Sequence, residues 1–464
     1  MADYRNRTFD EIAVGASESV TRTLTAADVE ALSLVTGDVD SFHIEGMDRS
    51  IGRGPSAQGA AAAAVIAGML NRRLPGPGST IIASQLRYGG TIEVGDALTA
   101  TVTARTKHAD GHRIDFDCQC ANQNGNVIAA GVVTVTAPTE RIAYTNLATP
   151  ELVLRYNDGF VRLFKACAAL PPVVCAIVHP CDRASLQGAI DAASHDLIVP
   201  VLIGPEGKIR AVAEVEGIDI APYRIIPVEH SHAAAAKAVE MARAGQVHAL
   251  MKGSLHTDEL MAEVVPSATG LRTARRISHV FIMDVPTYPR LLLVTDAAIN
   301  INPDLETKAD ICQNAIELAH VLGIAVPKVA ILSAVETVNP KLQGTLDAAA
   351  LCKMADRGQI VGGLLDGPLA FDNAISVDAA RTKGIVSAVA GQADILLVPD
   401  LEAGNILAKQ QQYLAGADSA GIVLGTRVPI VLTSRADSVR ARLASAAVLK
   451  LVANDRRSRG AAGP

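Results

Sequence analysis

Short apolar runs that end in turns rich in glycine and aspartate dominate the stretch from Ile360 to Lys409. Two of these runs, Ile360–Leu365 and Ile395–Val398, have the length and composition of buried parallel strands. Asp366-Gly367-Pro368 follows the first run, and an acidic turn that reaches Asn405 follows the second. Loops at the carboxyl ends of strands in an open α/β sheet bind ligands, because glycine lets backbone N–H groups approach an anion. The stretch therefore predicts an α/β fold with a ligand site at that edge.

The alternation of strand and helix already begins at Val173 and predicts a parallel sheet with helices on both faces. Two sets of strands indicate two lobes, and a last strand and helix complete the chain. The predicted strands are Val173–Val178, Ile198–Ile203, Tyr223–Val228, Ala249–Met251, Val280–Met283, Leu291–Val294, Val329–Leu332, Ile360–Leu365, Ile395–Val398 and Pro429–Thr433.

Residues 1 to about 140 follow a different pattern. The segment from Thr25 to Asp28 is typical of a capping box and predicts a helix through Leu34. A second predicted helix, Gln58–Leu70, is apolar on nearly every side, so other elements must surround and bury it. Four strands that can bury this helix are predicted at Thr80–Tyr88, Ala97–Thr106, Arg113–Ala121 and Val127–Ala137. One helix clasped by a curved antiparallel sheet is the α+β hot-dog architecture. Turn residues then predict a boundary near 140–150, with a hot-dog domain at 1–145.

Composition narrows the class of protein further. With 49% hydrophobic but only 3% aromatic residues and no tryptophan, the core is aliphatic, as in many α/β enzymes. A formal net charge of −6 and the scarcity of aromatic rings argue against a nucleic-acid partner. The sequence lacks both G-x-G-x-x-G after a strand and a P-loop, which argues against dinucleotide and P-loop nucleotide binding.

Localisation is read from the cysteines and the apolar segments. Seven cysteines scattered along the chain fit a reducing compartment. Cys118 and Cys120 share one face of a predicted strand, and without a second pair they indicate core thiols rather than a metal site. The charged N-terminus does not match a signal peptide, and Ala60–Leu70 is too short to span a bilayer. We therefore expect a cytoplasmic protein without a membrane partner.

Several ordered blocks in the second part of the chain resemble one family: HPCDRASLQGA, MKGSLHTDEL, DGPLAFDNAIS, ADILLVPDLEAGN and PIVLTSRADS. They are similar to the phosphate acetyltransferase and phosphate butyryltransferase family, closer to the butyryl branch, over roughly Leu154 to Leu451. The resemblance implies a two-lobed, Rossmann-like acyltransferase domain at 150–464. Lobe 1 would comprise about 150–278 plus 425–464, and lobe 2 about 279–424.

The same resemblance implies an activity. The enzyme would exchange an acetyl or short-chain acyl group between coenzyme A and orthophosphate, with an acyl phosphate as the other partner. The reaction requires no covalent nucleophile, because proximity and electrostatics can supply most of the rate. We expect no covalently bound cofactor and no metal. The transferase family generally forms dimers, which implies a homo-oligomer.

Ser434-Arg435, directly after the last predicted strand, is the main catalytic candidate. By pattern alone, Ser434 through Asp437 is an ordinary capping box. The family resemblance instead implies that Arg435 holds phosphate oxygens bidentately and that Ser434 donates a hydrogen bond to the developing anion. In the acetyltransferase branch an aspartate follows at the position that is Ala441 here, so Asp437 is the nearest candidate base.

Further candidates for substrate binding lie at or near strand ends: Arg183, Lys252, Asp366, Asp372 and Asn405. Arg183 and Lys252 are placed to meet phosphates. The two aspartates either orient a lobe or satisfy N–H groups at a strand end. The asparagine either lines the cleft or caps the next helix.

The first domain has a candidate pair of its own, Asp38 and His43, five residues apart on a loop. One group could position a water while the other moves its proton, although turn capping and an exposed loop histidine explain the spacing better by themselves. The segment resembles the MaoC-type (R)-specific enoyl-CoA hydratases, with the motif G-D-x-N-P-x-H. This implies that the pair is catalytic and that the N–H of Gly59 polarises the thioester carbonyl.

Two departures from the hydratase motif keep a second interpretation open. Asp40-Ser41 replaces the usual Asn-Pro, and Gln58 replaces the histidine that opens the central helix. The alternative is a non-catalytic hot-dog domain that binds acyl-CoA or supports oligomerisation. Hot-dog domains usually pair, which also implies a homo-oligomer.

Overall fold

The computed structural model describes residues 2–25, 28, 31–32, 60–89, 92, 95–147, 158–432 and 437–461. The chain divides into two compact units, Met1–Leu154 and Arg155–Pro464, called here the N-terminal unit and the C-terminal unit. One hydrophobic cluster fills the N-terminal unit, and three fill the C-terminal unit.

An antiparallel five-stranded sheet forms most of the N-terminal unit, in the order β2-β4-β5-β6-β3. Its first strand, β2, was not predicted, whereas the next four match the predicted strands closely. A separate pair, β1 and β7, is also antiparallel. The described elements are β1 (Ala2–Arg5), β2 (Ser17–Thr23), α1 (Ala60–Arg72), β3 (Thr80–Tyr88), β4 (Ala97–His108), β5 (Arg113–Ala121), β6 (Val127–Thr136) and β7 (Ala143–Leu147).

Helix α1 packs against this sheet and contacts all five strands. Its buried residues include Ile66 and Met69, while β5 alternates strictly and buries Phe116, Cys118 and Cys120. Alternation with a period of two turns one face of the strand toward the helix. The predicted hot-dog architecture is confirmed by this geometry.

The predicted capping box of the first helix is present. The N–H of Thr25 donates to Oδ2 of Asp28 at 3.0 Å, and the N–H of Asp28 donates back to Oγ1 of Thr25 at 3.2 Å. Asp28 and residues 31–32 are helical, and the rest of that predicted helix lies outside the described residues.

The C-terminal unit is built around one large sheet with helices between its strands. Its elements are α2 (Asp158–Cys167), β8 (Val173–Val178), α3 (Arg183–Ser194), β9 (Ile198–Gly204), α4 (Glu206–Glu216), β10 (Arg224–Pro227), α5 (Ser231–Arg243), β11 (Ala249–Lys252), α6 (Thr257–Val264), β12 (Ser278–Asp284), β13 (Leu292–Thr295), α7 (Leu305–Val321), β14 (Lys328–Leu332), α8 (Gln343–Asp356), β15 (Leu364–Leu369), α9 (Phe371–Ile375), α10 (Val377–Thr382), β16 (Ile395–Leu397), α11 (Leu401–Tyr413), β17 (Asp418–Leu424), β18 (Ile430–Val431) and α12 (Val439–Ala461).

The sheet has eleven strands in the order β10-β9-β8-β11-β18-β17-β12-β13-β16-β14-β15. The first parallel block comprises β10, β9, β8, β11 and β18. The second parallel block comprises β13, β16, β14 and β15. Between them, β17 and β12 pair antiparallel to each other and to their outer neighbours. The second block therefore runs opposite to the first, and the expected all-parallel sheet is corrected to a mixed one.

Strands of both predicted lobes lie in this one sheet without a break, so the two-lobed arrangement stays a prediction. β18 pairs in parallel with β11, as the expected return of the chain end to its first strands requires. Helix α12 packs against β17, α2 and α3. None of the helices in the described part of the chain combines the length and apolarity that a bilayer crossing requires.

One strand boundary was misplaced. We expected a strand at Ile360–Leu365 followed by a turn at Asp366-Gly367-Pro368, but β15 runs from Leu364 to Leu369 and includes that tripeptide. Proline is tolerated because β15 is the edge strand of the sheet. Glycine suits the position because a Cβ at Gly367 would lie 2.8 Å from Cβ of Ile331 on β14. Asp366 is therefore a strand residue.

Candidate active site

Strands β8, β11 and β18 end at one edge of the sheet, called here the first carboxyl edge. Because β17 is antiparallel to β18 and β12 is antiparallel to β17, β17 begins and β12 ends at this same edge. The last described residue before Ser434-Arg435 is residue 432, just beyond β18. β9 and β10 are parallel to β8 and end there as well, so the edge collects residues from seven strands.

A cleft of about 560 Å³ opens at the ends of β8 and β11. Its lining combines cationic, acidic, hydroxyl, thiol and imidazole groups: His179, Cys181, Asp182, Arg183, Ala184, Lys208 and Ser254. The predicted site residue Arg183 belongs to this cleft, and Lys252 lies two residues before Ser254.

Ser254 holds the loop after β8 in place. Its hydroxyl donates to the carbonyl of His179 at 2.8 Å and accepts the N–H of Cys181 at 3.2 Å. The same Oγ lies 3.0 Å from Nδ1 of His179. These contacts join the ends of two neighbouring strands and orient the imidazole and the thiol at the cleft. Sequence analysis missed this role, although Ser254 lies in a Gly-Ser turn after a predicted strand.

Burial sets the protonation of the groups in the cleft. It lowers the pKa of the His179 imidazole, and the charge of Lys208 lowers it further. Burial also raises the pKa of the Cys181 thiol to about 11. At neutral pH the imidazole and the thiol are therefore both uncharged, and the positive charge comes from lysine and arginine.

The cations of the edge differ in how they are held. Nε of Arg183 lies 3.2 Å from Oε2 of Glu216, and the arginine side chain is 76% exposed. Nζ of Lys252 donates to the carbonyl of Leu255 at 3.2 Å. Asp182 caps α3 by accepting the N–H of Ser185 at 2.8 Å.

The helix after β18 has a different cap from the expected one. α12 begins at Val439, and Oγ of Ser438 accepts the N–H of Ala441 at 3.1 Å. Asp437 is half-buried and precedes this helix. Ser434 and Arg435 lie outside the described residues. Most of the predicted capping box from Ser434 to Asp437 falls outside the described part of the chain, where Ser438 is the residue that caps α12.

An acidic pair at the same edge was not predicted. Asp284 and Asp418 are partners across β12 and β17, and Oδ2 of Asp418 lies 2.7 Å from Nε of Arg440. Asp284 accepts the N–H of Phe160 at 3.1 Å, at the start of α2. Burial raises the pKa of Asp284, and the bonds from the Phe160 and Gly159 N–H groups oppose that rise. The carboxylate anchors α2 at this edge.

The remaining predicted residues belong to the second parallel block, whose strands end at the opposite edge of the sheet. Asp366 lies within β15 and accepts the N–H of Gly367 at 2.9 Å. Oδ2 of Asp372 lies 3.1 Å from Nζ of Lys383, and this contact lowers the pKa of the carboxyl. Asn405 lies inside α11 and donates to the carbonyl of Ala297 at 3.2 Å. The reversal of strand direction separates these side chains from the first carboxyl edge.

Asp296, which sequence analysis missed, organises the loop after β13. Its carboxylate accepts the N–H groups of Ala298, Ile299 and Asn300 at 3.0–3.1 Å, and the Asn300 amide as well. Burial raises the pKa of Asp296, and these four bonds oppose the rise. The T-D-A-A-I-N segment after an apolar run was the available signal.

In the N-terminal unit, the predicted residues Asp38, His43 and Gly59 lie outside the described residues. A cavity of about 460 Å³ runs along α1. On α1 it is lined by Ala61, Ala64, Val65, Gly68, Met69 and Arg72. Arg22 and Arg73 add positive charge to this mainly apolar lining. Across the described part of both units, no three His, Cys, Asp or Glu side chains cluster as a metal site would require.

The C-terminal unit is thus an α/β protein with a mixed sheet and a cationic, hydroxyl-bearing cleft at one carboxyl edge. Comparison with known proteins defines it further. The family model described as phosphate acetyl/butaryl transferase matches residues 228–449. A phosphate acetyltransferase of Rhizobium meliloti is 64% identical over 297 residues, which cover 64% of this chain and 94% of that protein. The chain belongs to the phosphate acetyl/butaryl transferase family, which confirms the predicted transferase.

Two further relatives transfer acyl groups other than acetyl, according to their names. A phosphate butyryltransferase of Clostridium acetobutylicum is 42% identical, over 59% of this chain and 91% of its own length. The acetyltransferase relative is more similar to this chain than this butyryltransferase is, which does not support the expected closeness to the butyryl branch. A crystal structure of a branched-chain phosphotransacylase from Enterococcus faecalis is 30% identical, with a TM-score of 0.53, over 60% of this chain and 99% of its own.

An R-hydratase from Pseudomonas aeruginosa is similar to this chain at 22% identity and a TM-score of 0.30, over 33% of this chain and 99% of its own. A likeness this low carries no functional argument.

Proposed function

We propose that the C-terminal unit exchanges an acetyl or other short acyl group between coenzyme A and orthophosphate. A phosphate oxygen attacks the thioester carbonyl, the C–S bond breaks, and acyl phosphate and the CoA thiolate form; the thiolate then takes up a proton. Membership of the family supports this reaction, since the chain spans 94% of a relative that is named a phosphate acetyltransferase. Acetyl is the preferred group in this proposal, because that relative is the more similar one.

The cap of α12 is the observation that favours Ser434 and Arg435 as the catalytic pair. Since Ser438 caps this helix, the hydroxyl of Ser434 is not needed there. In the proposal, Arg435 binds two phosphate oxygens and Ser434 donates to the oxygen that becomes negative in the transition state. In the reverse direction, from acyl phosphate to acyl-CoA, Asp437 is the proposed base for the CoA thiol. Arg183 and Lys252 add positive charge for the phosphates of the substrates, at the same edge of the sheet.

The test is phosphate-dependent release of CoA from acetyl-CoA, followed by thiol detection. We expect Arg435→Gln to lower kcat by about 100-fold, in the range found for loss of one donor to a developing anion. Arg435→Lys should recover only part of the rate, because lysine lacks the bidentate fork. The control is Arg381→Gln, an exposed residue of the second block. Absence of phosphate-dependent thioester loss in the wild type, with acetyl and butyryl donors, overturns the proposal.

The cavity along α1 favours a second activity for the N-terminal unit. Its volume of about 460 Å³ is within the usual range for small-ligand pockets, and its lining is mainly apolar. We propose (R)-specific hydration of a short enoyl-CoA, with Asp38 and His43 as the acid-base pair and the N–H of Gly59 on the thioester oxygen. The rival is a non-catalytic hot-dog unit that binds acyl-CoA or supports oligomerisation.

Hydration of crotonyl-CoA separates these alternatives, because it removes the ultraviolet absorption of the conjugated thioester. The proposal predicts activity in the wild type and its loss in Asp38→Asn and His43→Gln. If the wild type is inactive but binds crotonyl-CoA in calorimetry, the unit is a binding module.

We further propose that the protein is cytoplasmic and forms a homo-oligomer. In this proposal the two parallel blocks of the large sheet act as two lobes around the transferase cleft.

A further inference from the structure

Arg442, in the first turns of α12, has a cationic group for which the described residues offer no counter-ion. Its Nε is buried and has no hydrogen-bond partner in that part of the chain. No carboxylate among the described residues forms an ion pair with it, although its neighbour Arg440 pairs with Asp418 at 2.7 Å. The residue as a whole is half-buried.

The neighbouring helix α3 makes room for this side chain. Gly188 is buried on α3, and a Cβ there would lie 3.1 Å from Cδ and 3.2 Å from Nε of Arg442. Those distances are shorter than ordinary van der Waals contact, so even alanine would push the arginine. The stem of Arg442 therefore lies across α3, which begins at Arg183 in the cleft.

The Nε of Arg442 is costly without a partner, because burial removes water from this atom and none of the described protein groups replaces the lost hydrogen bond. Arginine is well suited to phosphate, since its planar fork can donate two parallel hydrogen bonds. The residue also follows Ser434-Arg435 by seven positions, on the helix that leaves the same sheet edge. An anionic ligand at this edge would supply the partner that the described protein groups do not.

We infer that Arg442 binds a phosphate group of a transferase substrate. This inference rests on the proposed function of the C-terminal unit. Two sources of phosphate fit the chemistry: orthophosphate with its product acyl phosphate, and the nucleotide phosphates of coenzyme A. Arg442 is thereby a binding residue separate from the catalytic pair.

The experiment compares the wild type with Arg442→Gln and Arg442→Lys in the full chain, with KM measured separately for acetyl-CoA and orthophosphate. We expect Arg442→Gln to raise one of the two KM values about 10- to 100-fold, with kcat within about threefold, as for loss of a charged hydrogen bond. Arg442→Lys should recover part of the loss. A raised KM for orthophosphate identifies the first source. If Arg442→Gln raises the KM for acetyl-CoA, the assay is repeated with 3′-dephospho-acetyl-CoA. When the KM values of variant and wild type are then equal, Arg442 binds the 3′-phosphate. When the KM of the variant is still higher, Arg442 binds the pyrophosphate.

Gly188→Ala provides a second variant that keeps the charge and displaces it. It should raise the same KM as Arg442→Gln. Arg381→Gln, on an exposed part of the second block, is the charge-matched control and should leave both KM values unchanged. KM values within twofold of the wild type in both Arg442→Gln and Gly188→Ala overturn the inference.

Direct binding keeps this test separate from the proposed reaction. Titration calorimetry with CoA and with orthophosphate measures affinity without turnover. If the wild type lacks transferase activity, the proposed function fails, whereas weaker binding of either ligand to Arg442→Gln still supports Arg442. Equal affinities of the wild type and the variant for both ligands overturn it. Equal thermal midpoints of the two proteins confirm that the variant is folded.

Discussion

Nζ of Lys308 lies 2.6 Å from Oδ2 of Asp347, and both side chains are only 7% exposed. The pair joins α7 to α8 within the C-terminal unit. Breaking a buried ion pair leaves one charge without compensation, which costs about 3–5 kcal/mol. We therefore expect Lys308→Met to lower the free energy of unfolding of the C-terminal unit by this amount, measured by urea denaturation.

A double variant separates two contributions to the free energy of unfolding: the cost of one buried charge without a partner, and the stabilisation by the intact ion pair. Lys308→Met with Asp347→Leu removes both charges, and Gln343, which donates to Asp347 at 2.8 Å, is exposed and can turn to water. The double variant should regain most of the lost stability. If it is as unstable as the single variant, the ion pair itself stabilises the helices.

Because His279 is buried, we expect the free energy of unfolding to fall in acid. Its Nδ1 is buried without a hydrogen-bond partner, its ring packs edge-on against Phe281 at 4.4 Å, and burial lowers its pKa to about 4. The unfolded chain binds the proton at its ordinary pKa of 6.5, so stability is complete above pH 6.5 and falls as the pH drops toward 4. The shift corresponds to about 3 kcal/mol.

His279→Leu removes that titration and should flatten the dependence of unfolding free energy on pH between 6.5 and 4. The control is His195→Leu, a substitution of the same kind at an exposed residue at the end of α3. An unchanged slope in His279→Leu would mean that other groups cause the acid sensitivity.

Gly131 is a position in the hot-dog sheet where a side chain cannot fit. A Cβ there would overlap the carbonyl oxygen of Gln85 on the neighbouring strand β3. Gly131→Ala should therefore cost at least about 2 kcal/mol and loosen the pairing of β3 with β6. Amide hydrogen exchange followed by mass spectrometry should show faster exchange in both strands.

Gly68 is the matched control for that substitution. It lies within α1, and a Cβ there meets no atom within 4 Å. Gly68→Ala should stabilise the helix by up to about 1 kcal/mol, because alanine loses less conformational freedom. Slower exchange in α1 is the expected result, and destabilisation of both variants alike would contradict the steric explanation for Gly131.

Ser254→Ala tests whether the loop between β8 and α3 must be fixed for transfer. Loss of the hydroxyl removes its bonds to His179 and Cys181. We expect about a tenfold fall in kcat/KM for acetyl-CoA, equivalent to about 1.4 kcal/mol. Ser194→Ala, at the exposed end of α3, should have no effect. Equal activity of the two variants would show that the cleft does not depend on the Ser254 contacts.

Local patterns in the sequence determined most of the elements. Apolar runs and turn residues placed four of the five strands of the hot-dog sheet and most strands of the large sheet, because burial and turn chemistry act over a few residues. The strand β17 was missed, since its sequence DSAGIVL begins with polar and small residues and acquires its role only between β12 and β18.

The residues of the candidate site likewise divide into those that the sequence identified and those that only the structure revealed. The sequence singled out Arg183 and Lys252, because charged residues after buried strands are a local signal. It also named Asp366, Asp372 and Asn405 as binding candidates, but only the strand directions show that they lie toward the opposite edge of the sheet. Ser254 carries its role through contacts with a loop 75 residues away, which no local pattern contains.

By itself the sequence determined two folded parts, most of their strands and the family of the second part. Its evidence is apolar periodicity, turn residues and ordered motifs, each read from a few neighbouring residues. Only the tertiary structure decided that the second parallel block runs opposite to the first and that Ser438 caps α12. It also placed Arg442 against Gly188, with no counter-ion among the residues that the structure describes. Strand direction, cap geometry and charge pairing depend on hydrogen bonds and packing between distant segments, and an apolar run has the same composition whichever way it points.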